Sequence, residues 1–167
     1  VEASSGGFRR RREGTAMRKP AGNTFSITCE GSYKTSELVV QGDYGWPDNW
    51  ITDELFPIQK HAPVGRTIEL VEFDHEPPSE EVLEKLAQRG LERPTYEDAL
   101  YFGIQHPEEQ RKRPVVFLHE PVLRPDGDRG VLVLEERAGE RDLYLLRFDS
   151  RGRRHYAFAA VRPSTRA

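Results

Sequence analysis

Val131-Leu132-Val133-Leu134-Glu135 and Leu143-Tyr144-Leu145-Leu146-Arg147-Phe148 stand on either side of Ala138-Gly139-Glu140. Two apolar runs separated by a glycine-bearing turn read as a β-hairpin. Upstream, Pro125-Asp126-Gly127-Asp128 is a turn. Before it, Val115-Val116-Phe117-Leu118 is a short unbroken apolar run, the pattern of a buried strand. Downstream, Arg151-Gly152-Arg153 turns the chain into a last strand over 156–161. The final third of the chain is therefore expected to be β.

The middle of the chain changes period. After Pro77-Pro78, Ser79 is expected to cap a helix over 79–89, with Glu80 and Glu81 in its first turn. Val82, Leu83, Leu86 and Ala87 form its apolar stripe, and Gly90 stops it. Thr95-Tyr96-Glu97-Asp98 resembles a capping box and opens a second helix over 95–105, with Ala99, Leu100 and Ile104 inward. Residues 24–29 alternate as a half-buried strand, with Phe25, Ile27 and Cys29 on one face. Residues 66–73 also read as a strand. Residues 36–40 fit either a short helix or a strand. Thr52 is expected to cap one helical turn that Pro57 ends. The fold class expected is α+β: an antiparallel sheet with two adjacent helices whose stripes enter the same core.

Bulk properties narrow the function classes. The chain has 167 residues, 36% hydrophobic and 32% charged, with 16 aromatics, which suits one domain with one core. A formal charge of −3 gives no global case for nucleic acid or an anionic membrane. One cysteine, Cys29, excludes an internal disulfide and a cysteine-rich zinc site. No apolar run approaches the ~20 residues of a membrane span. The expected location is the cytoplasm.

Residues 1–16 carry Arg9-Arg10-Arg11-Arg12-Glu13-Gly14 ahead of the only methionine, Met17. A basic arm is one reading and a disordered terminus another. A third is a purine-rich ribosome-binding site translated in frame, which makes 1–16 an upstream extension and Met17 the start. Without that segment the count is 25 − 4 = 21 basic and 28 − 2 = 26 acidic residues, or −5. The expected organisation is a single α+β domain over 17–163 and a tail over 164–167.

His119-Glu120 follows the apolar strand, but neighbouring strand residues point to opposite faces, so an ordinary strand-end pair is the expectation. Asp126-Gly127-Asp128-Arg129-Gly130 resembles a fragment of a calcium loop but lacks an oxygen ligand at its fifth position, so a hairpin turn is expected. Cys29 shares a face with Phe25 and Ile27 and reads as a buried, inert thiol. Arg151, Arg153 and Arg154, with His155 and Tyr156, face nearby acidic residues and read as a self-neutralising, solvated hairpin. Tyr44, Trp46 and Trp50 lie in the turn-rich segment 42–56, which holds both tryptophans of the chain. Two readings stand open for these rings: anchors for a ligand or partner, or side chains sealing the core beneath a loop.

Two resemblances follow from quoted segments. The run SEEVLEKLAQRGLERPTYEDALYFGIQHPEEQ over 79–110, with Pro114-Val115-Val116-Phe117-Leu118 and Phe158-Ala159-Ala160-Val161-Arg162, resembles an uncharacterised bacterial protein family common in candidate-phylum genomes. That resemblance carries no activity with it. More distantly, Gly90-Leu91-Glu92-Arg93-Pro94-Thr95-Tyr96-Glu97-Asp98 is similar to a helix start of C-type-lectin-like domains, among them formylglycine-generating-enzyme-like domains and retroelement variable proteins. The strand ending Ala157-Phe158-Ala159-Ala160-Val161-Arg162 matches theirs in outline. Glu92 is an extra position, and the catalytic cysteines have no counterpart, so the resemblance implies a fold and not an enzyme.

No catalytic or metal-binding motif is recognisable. The expected function is a non-catalytic binding module for a protein or small ligand, with Tyr44, Trp46 and Trp50 as the ligand-binding residues and no metal or cofactor. The runner-up is a nucleic-acid-associated regulatory or mobile-element protein, and an enzyme is third. Neither a membrane nor, on charge, a nucleic acid is expected as a partner of the binding module.

Overall fold

The computed structural model describes residues 23–164. The expected extension over 1–16, the start at Met17 and the last three residues of the tail lie outside them. The elements run β1 (Thr24–Cys29), α1 (Thr35–Gly42), β2 (Trp46–Pro47), β3 (Val64–Glu72), α2 (Ser79–Gln88), α3 (Tyr96–Gln105), α4 (Glu109–Lys112), β4 (Val115–Leu123), β5 (Arg129–Arg137), β6 (Glu140–Arg147) and β7 (Ala157–Arg162). Residues 36–40, ambiguous in sequence, belong to a helix.

The protein is α+β, built on one seven-stranded sheet in the order β1-β3-β7-β4-β5-β6-β2. The sheet is mixed, which corrects the antiparallel expectation. β1, β3 and β7 are antiparallel neighbours, as are β4, β5 and β6. β7, however, runs parallel to β4, and β2 runs parallel to β6. The β4–β5–β6 hairpins follow sequence order. The last strand instead returns to join the two antiparallel groups, a long-range placement that local patterning does not encode.

Strand alternation divides the core in two. Ile27, Ile68, Leu70, Phe117, Leu132 and Leu143 point to one face, where Leu38 of α1 and Leu100 and Phe102 of α3 cover them. Val71, Val116, Leu118, Val131, Val133 and Phe158 point to the other, under Val82 and Leu86 of α2. The middle strands are apolar on both faces because both faces are covered. The two adjacent helices therefore do not share a core, which is a second correction. The segment between them crosses the sheet. β4 and β7 pair only at Val115–Ala157 and Val116–Phe158. Beyond that point they diverge, and Glu92 occupies the gap, donating to Val161 O at 2.8 Å and accepting from Val161 N at 2.9 Å. Arg93 holds the other side, donating to Leu118 O at 2.7 Å and His119 O at 3.0 Å. The chain thus enters from the face of α2 and leaves on the face of α3.

Helix ends follow the sequence in part. Gly90 ends α2 with φ +73°, and Leu91 N–H returns to Leu86 O at 2.9 Å. Thr95 caps α3: its hydroxyl accepts from Asp98 N–H at 3.1 Å, and Asp98 Oδ2 accepts from Thr95 N–H at 2.8 Å. Thr52 caps its turn through Leu55 N–H at 3.2 Å. Ser79 does not cap α2. Pro78 holds the N-cap position, and the buried Ser79 hydroxyl donates instead to Phe148 O, tying α2 to the end of β6.

The outward-facing groups of the outer strands are occupied at several points. Gln105 of α3 reaches β1, where Thr28 N–H donates to Oε1 at 3.0 Å and Nε2 donates to Thr28 O at 2.8 Å. His106 Nε2 lies 2.8 Å from Ser26 O on the same strand. On β6, Arg141 O accepts from Gly45 N–H and Leu143 O from Asp48 N–H, each at 2.8 Å. Asp48 Oδ2 then accepts from Leu145 N–H at 3.2 Å.

Candidate functional site

The segment carrying Tyr44, Trp46 and Trp50 begins where α1 ends. Asp43 adopts φ 55°, ψ 49°, a left-handed cap that ends the helix. The next residue, Tyr44, lies under the segment, packed against the core shared by α1 and α3. The Arg141 guanidinium sits 4.7 Å above its ring. Burial pushes the Tyr44 phenol up to about 12, with the Arg141 charge opposing. Its hydroxyl is buried with no hydrogen-bond partner among the described residues and lies against Gly103, where a Cβ would overlap it. Tyr44 therefore seals the core beneath the segment.

Arg141 is the centre of this arrangement. It donates to Gly42 O at the end of α1, to Gly103 O of α3 at 2.6 Å and to Gln110 Oε1 of α4 at 3.1 Å. Gln110 passes the linkage on, donating to Glu135 O at 2.7 Å and Asp142 O at 2.9 Å. Three helices are thereby fixed to the β5–β6 hairpin. Arg151, Arg153 and Arg154 are exposed, as expected of a solvated hairpin, but Asp142 among its acidic partners is 1% exposed and the neighbouring Arg141 8%, which corrects that part of the expectation. Arg141 has the strand parity of Leu143 and Leu145, which is the signal that marks it as inward-facing. Other charges of the hairpin form ion pairs, as in Arg129–Asp149 at 2.6 Å and Arg147–Asp128 at 3.2 Å.

Trp46 and Pro47 form the two-residue strand β2 along β6, with Trp46 opposite Asp142. The flanking main-chain bonds from Gly45 and Asp48 fix this piece at both ends. The Trp46 ring is 60% exposed. Trp50 is half-buried against the core and carries the Arg124 guanidinium 5.0 Å above its ring. Asp48 turns inward to hold Trp50 N–H at 3.0 Å and Leu145 N–H. Of the three aromatic candidates, Trp46 is thus the one displayed, while Tyr44 and Trp50 anchor the segment that displays it.

The other candidates resolve as structural features. His119 and Glu120 point to opposite faces as expected, but β4 runs on to Leu123, so the pair lies within the strand, with His119 buried. Pairing of β4 with β5 breaks after Phe117–Leu132 and resumes at Val122–Gly130. In the gap His119 Nε2 accepts the Leu132 N–H at 3.0 Å, and Nδ1–H donates to Glu120 O at 2.7 Å. Burial, aided by the Arg93 charge, pushes His119 down to about 4, so the ring is neutral. Asp126 closes a turn, accepting from Asp128 N–H at 3.1 Å and pairing with Arg124 at 2.6 Å. Cys29 is buried, and burial followed by the nearby Asp98 charge pushes its thiol up to about 12. Asp98, read from sequence only as a cap, is fully buried and also receives two bonds from Arg66, each 2.8 Å. Among the described residues no group of three or more His, Cys, Asp or Glu is placed to hold a metal. No described helix is long and apolar enough to cross a membrane.

Comparison of the chain with protein-family models, with curated proteins and with solved structures finds no match.

Proposed function

We propose that the protein is a non-catalytic binding module whose contact surface for a protein or small ligand centres on Trp46. The observation that supports this is the pairing of exposure with fixation: a 60% exposed tryptophan on a strand held by main-chain bonds on either side. A large ring that loses little freedom on contact is an efficient anchor. Tyr44 and Trp50 contribute by bracing the segment, through Arg141 and Arg124.

The C-type-lectin-like resemblance enters this reading as a proposal about fold ancestry. Its two motif segments meet in space, where Glu92 and Val161 exchange both main-chain bonds. The likeness to the candidate-phylum family adds no activity.

The test is a comparison of immobilised wild-type protein with Trp46→Ala against extract of the source organism. Specific species retained by the wild type and lost with the variant, with circular dichroism unchanged, support the reading. Identical retention by both proteins rejects Trp46 as the anchor.

A further inference from the structure

A groove of about 550 Å³ runs between the end of α4, the β5–β6 hairpin and the 153–156 loop. Arg153, His155 and Tyr156, which line it, belong to the segment read from sequence as a solvated hairpin. Arg111, Lys112 and Arg113 line it from the end of α4, and Arg153 and His155 line it from the loop beside them. Glu135, Glu136, Tyr144 and Tyr156 also line it.

The carboxylates in the groove are already engaged. Glu136 pairs with Arg111 at 2.9 Å, and Glu135 accepts the Tyr144 hydroxyl at 3.1 Å. Arg113 and Lys112 take their partners from elsewhere, Glu72 at 2.9 Å and Glu109 at 3.0 Å. Arg153 and His155, both exposed, form no ion pair with a described residue. Of the guanidinium and ammonium groups that line the groove, Arg153 is the one without an ion-pair partner among the described residues.

The two segments are also fixed to each other. Ala157 N–H donates to Pro114 O at 2.9 Å, just past α4, and Tyr156 N–H closes on Arg153 O at 3.0 Å. This holds the main chain of the loop bearing Arg153 beside the segment bearing Arg113. The volume falls within the range of small-molecule sites and exceeds what a bare phosphate ion fills.

We propose that this groove binds a small phosphate-bearing molecule, with Arg153 as the principal contact and Arg113 and Lys112 assisting from the end of α4. A compact group of two or more negative charges suits several neighbouring cationic donors better than a single carboxylate does.

Titration with pyrophosphate, followed by calorimetry and by phosphorus NMR line broadening, tests this. The wild type should bind saturably. Arg153→Gln should weaken binding by about tenfold, the usual consequence of losing one charge-assisted hydrogen bond. Lys112→Gln, a second exposed change, should weaken it by a smaller factor. Arg147→Gln removes the same charge from the distant Arg147–Asp128 pair and should leave binding within about twofold. Absence of binding up to about 10 mM pyrophosphate overturns the proposal. Equal losses in Arg153→Gln and Arg147→Gln also overturn it, because they indicate diffuse charge attraction. Response to duplex DNA but not to pyrophosphate overturns it in favour of a polyanion surface. None of these variants touches Trp46, so the outcome is independent of the binding-module reading.

Discussion

His119 takes the place of a strand residue for Leu132: its ring nitrogen accepts the Leu132 N–H that the interrupted β4–β5 ladder leaves unpaired, at 3.0 Å. A main-chain donor in the middle of a sheet is costly to leave unmade, and an imidazole satisfies it only while that nitrogen is unprotonated.

The pH dependence of stability follows from this geometry. His119 is held at about 4 in the folded protein, whereas an unfolded histidine titrates near 6.5. The unfolded chain therefore binds a proton first, and the contribution of His119 is fully present above about pH 6.5. It drains away as pH falls toward 4, by roughly 3 kcal/mol in all. Urea unfolding at pH 7 and at pH 4.5 measures it. In His119→Gln, which cannot titrate, this part of the acid loss should disappear. Equal acid sensitivity in both proteins would show that the ring does not control it.

The division of the core predicts additivity. Leu86 and Leu100 are 2% and 0% exposed and lie on opposite faces of the sheet. Leu86→Ala and Leu100→Ala should each cost about 2–5 kcal/mol. The double variant should lose their sum to within about 0.5 kcal/mol, because the side chains share no packing neighbours. A coupling energy well above that, measured by denaturant unfolding, would mean one continuous core.

The β5–β6 turn offers a stabilising change. Ala138 has φ 52° ahead of Gly139 at φ 82°, the left-handed pair that a two-residue hairpin loop requires. Alanine pays for that conformation, and asparagine tolerates it. Ala138→Asn should raise stability by about 1 kcal/mol, or roughly 2–4 °C in melting temperature. An unchanged or lower melting temperature would refute the turn assignment.

The aromatic segment gives an optical prediction. With Trp50→Phe, the remaining tryptophan is Trp46, and its emission should be red-shifted and readily quenched by acrylamide. With Trp46→Phe, the half-buried Trp50 should emit further to the blue and resist quencher. Blue, protected emission from Trp46 in the free protein would remove it as an anchor.

Sequence patterning gave the local elements where one signal dominated. The unbroken run Val115–Leu118 marks a strand covered on both faces, Gly90 ends a helix, and Thr95 with Asp98 forms the cap. What it could not give was topology. Nothing in the residues of β7 says that it lies beside β4, because parallel pairing over a distance of some 40 positions leaves no local trace. The split of α2 and α3 between two faces depends on Glu92 threading a gap that exists only after β4 and β7 diverge. Buried charge is hidden from local patterning for a related reason. Arg141 and Asp142 resemble hairpin surface until the helices bring carbonyl groups to Arg141. The same limit applies to the candidate site, where composition drew attention to the aromatic segment but only packing separates Trp46 from Tyr44 and Trp50.

The bonds from Gln105 to Thr28 bear on how the protein behaves in a crowded solution. The Gln105 carboxamide presents to β1 the donor and acceptor that an incoming strand would bring, and the 45–48 segment does the same for β6. At these positions the rim is already spoken for, and a second molecule cannot use it as a template for stacking. The protection on the β1 side depends on α3 staying folded, because Gln105 is its last residue. Fraying of that one helix end therefore does more than loosen a turn: it uncovers a strand edge, and with it a route to self-association that the native state keeps shut.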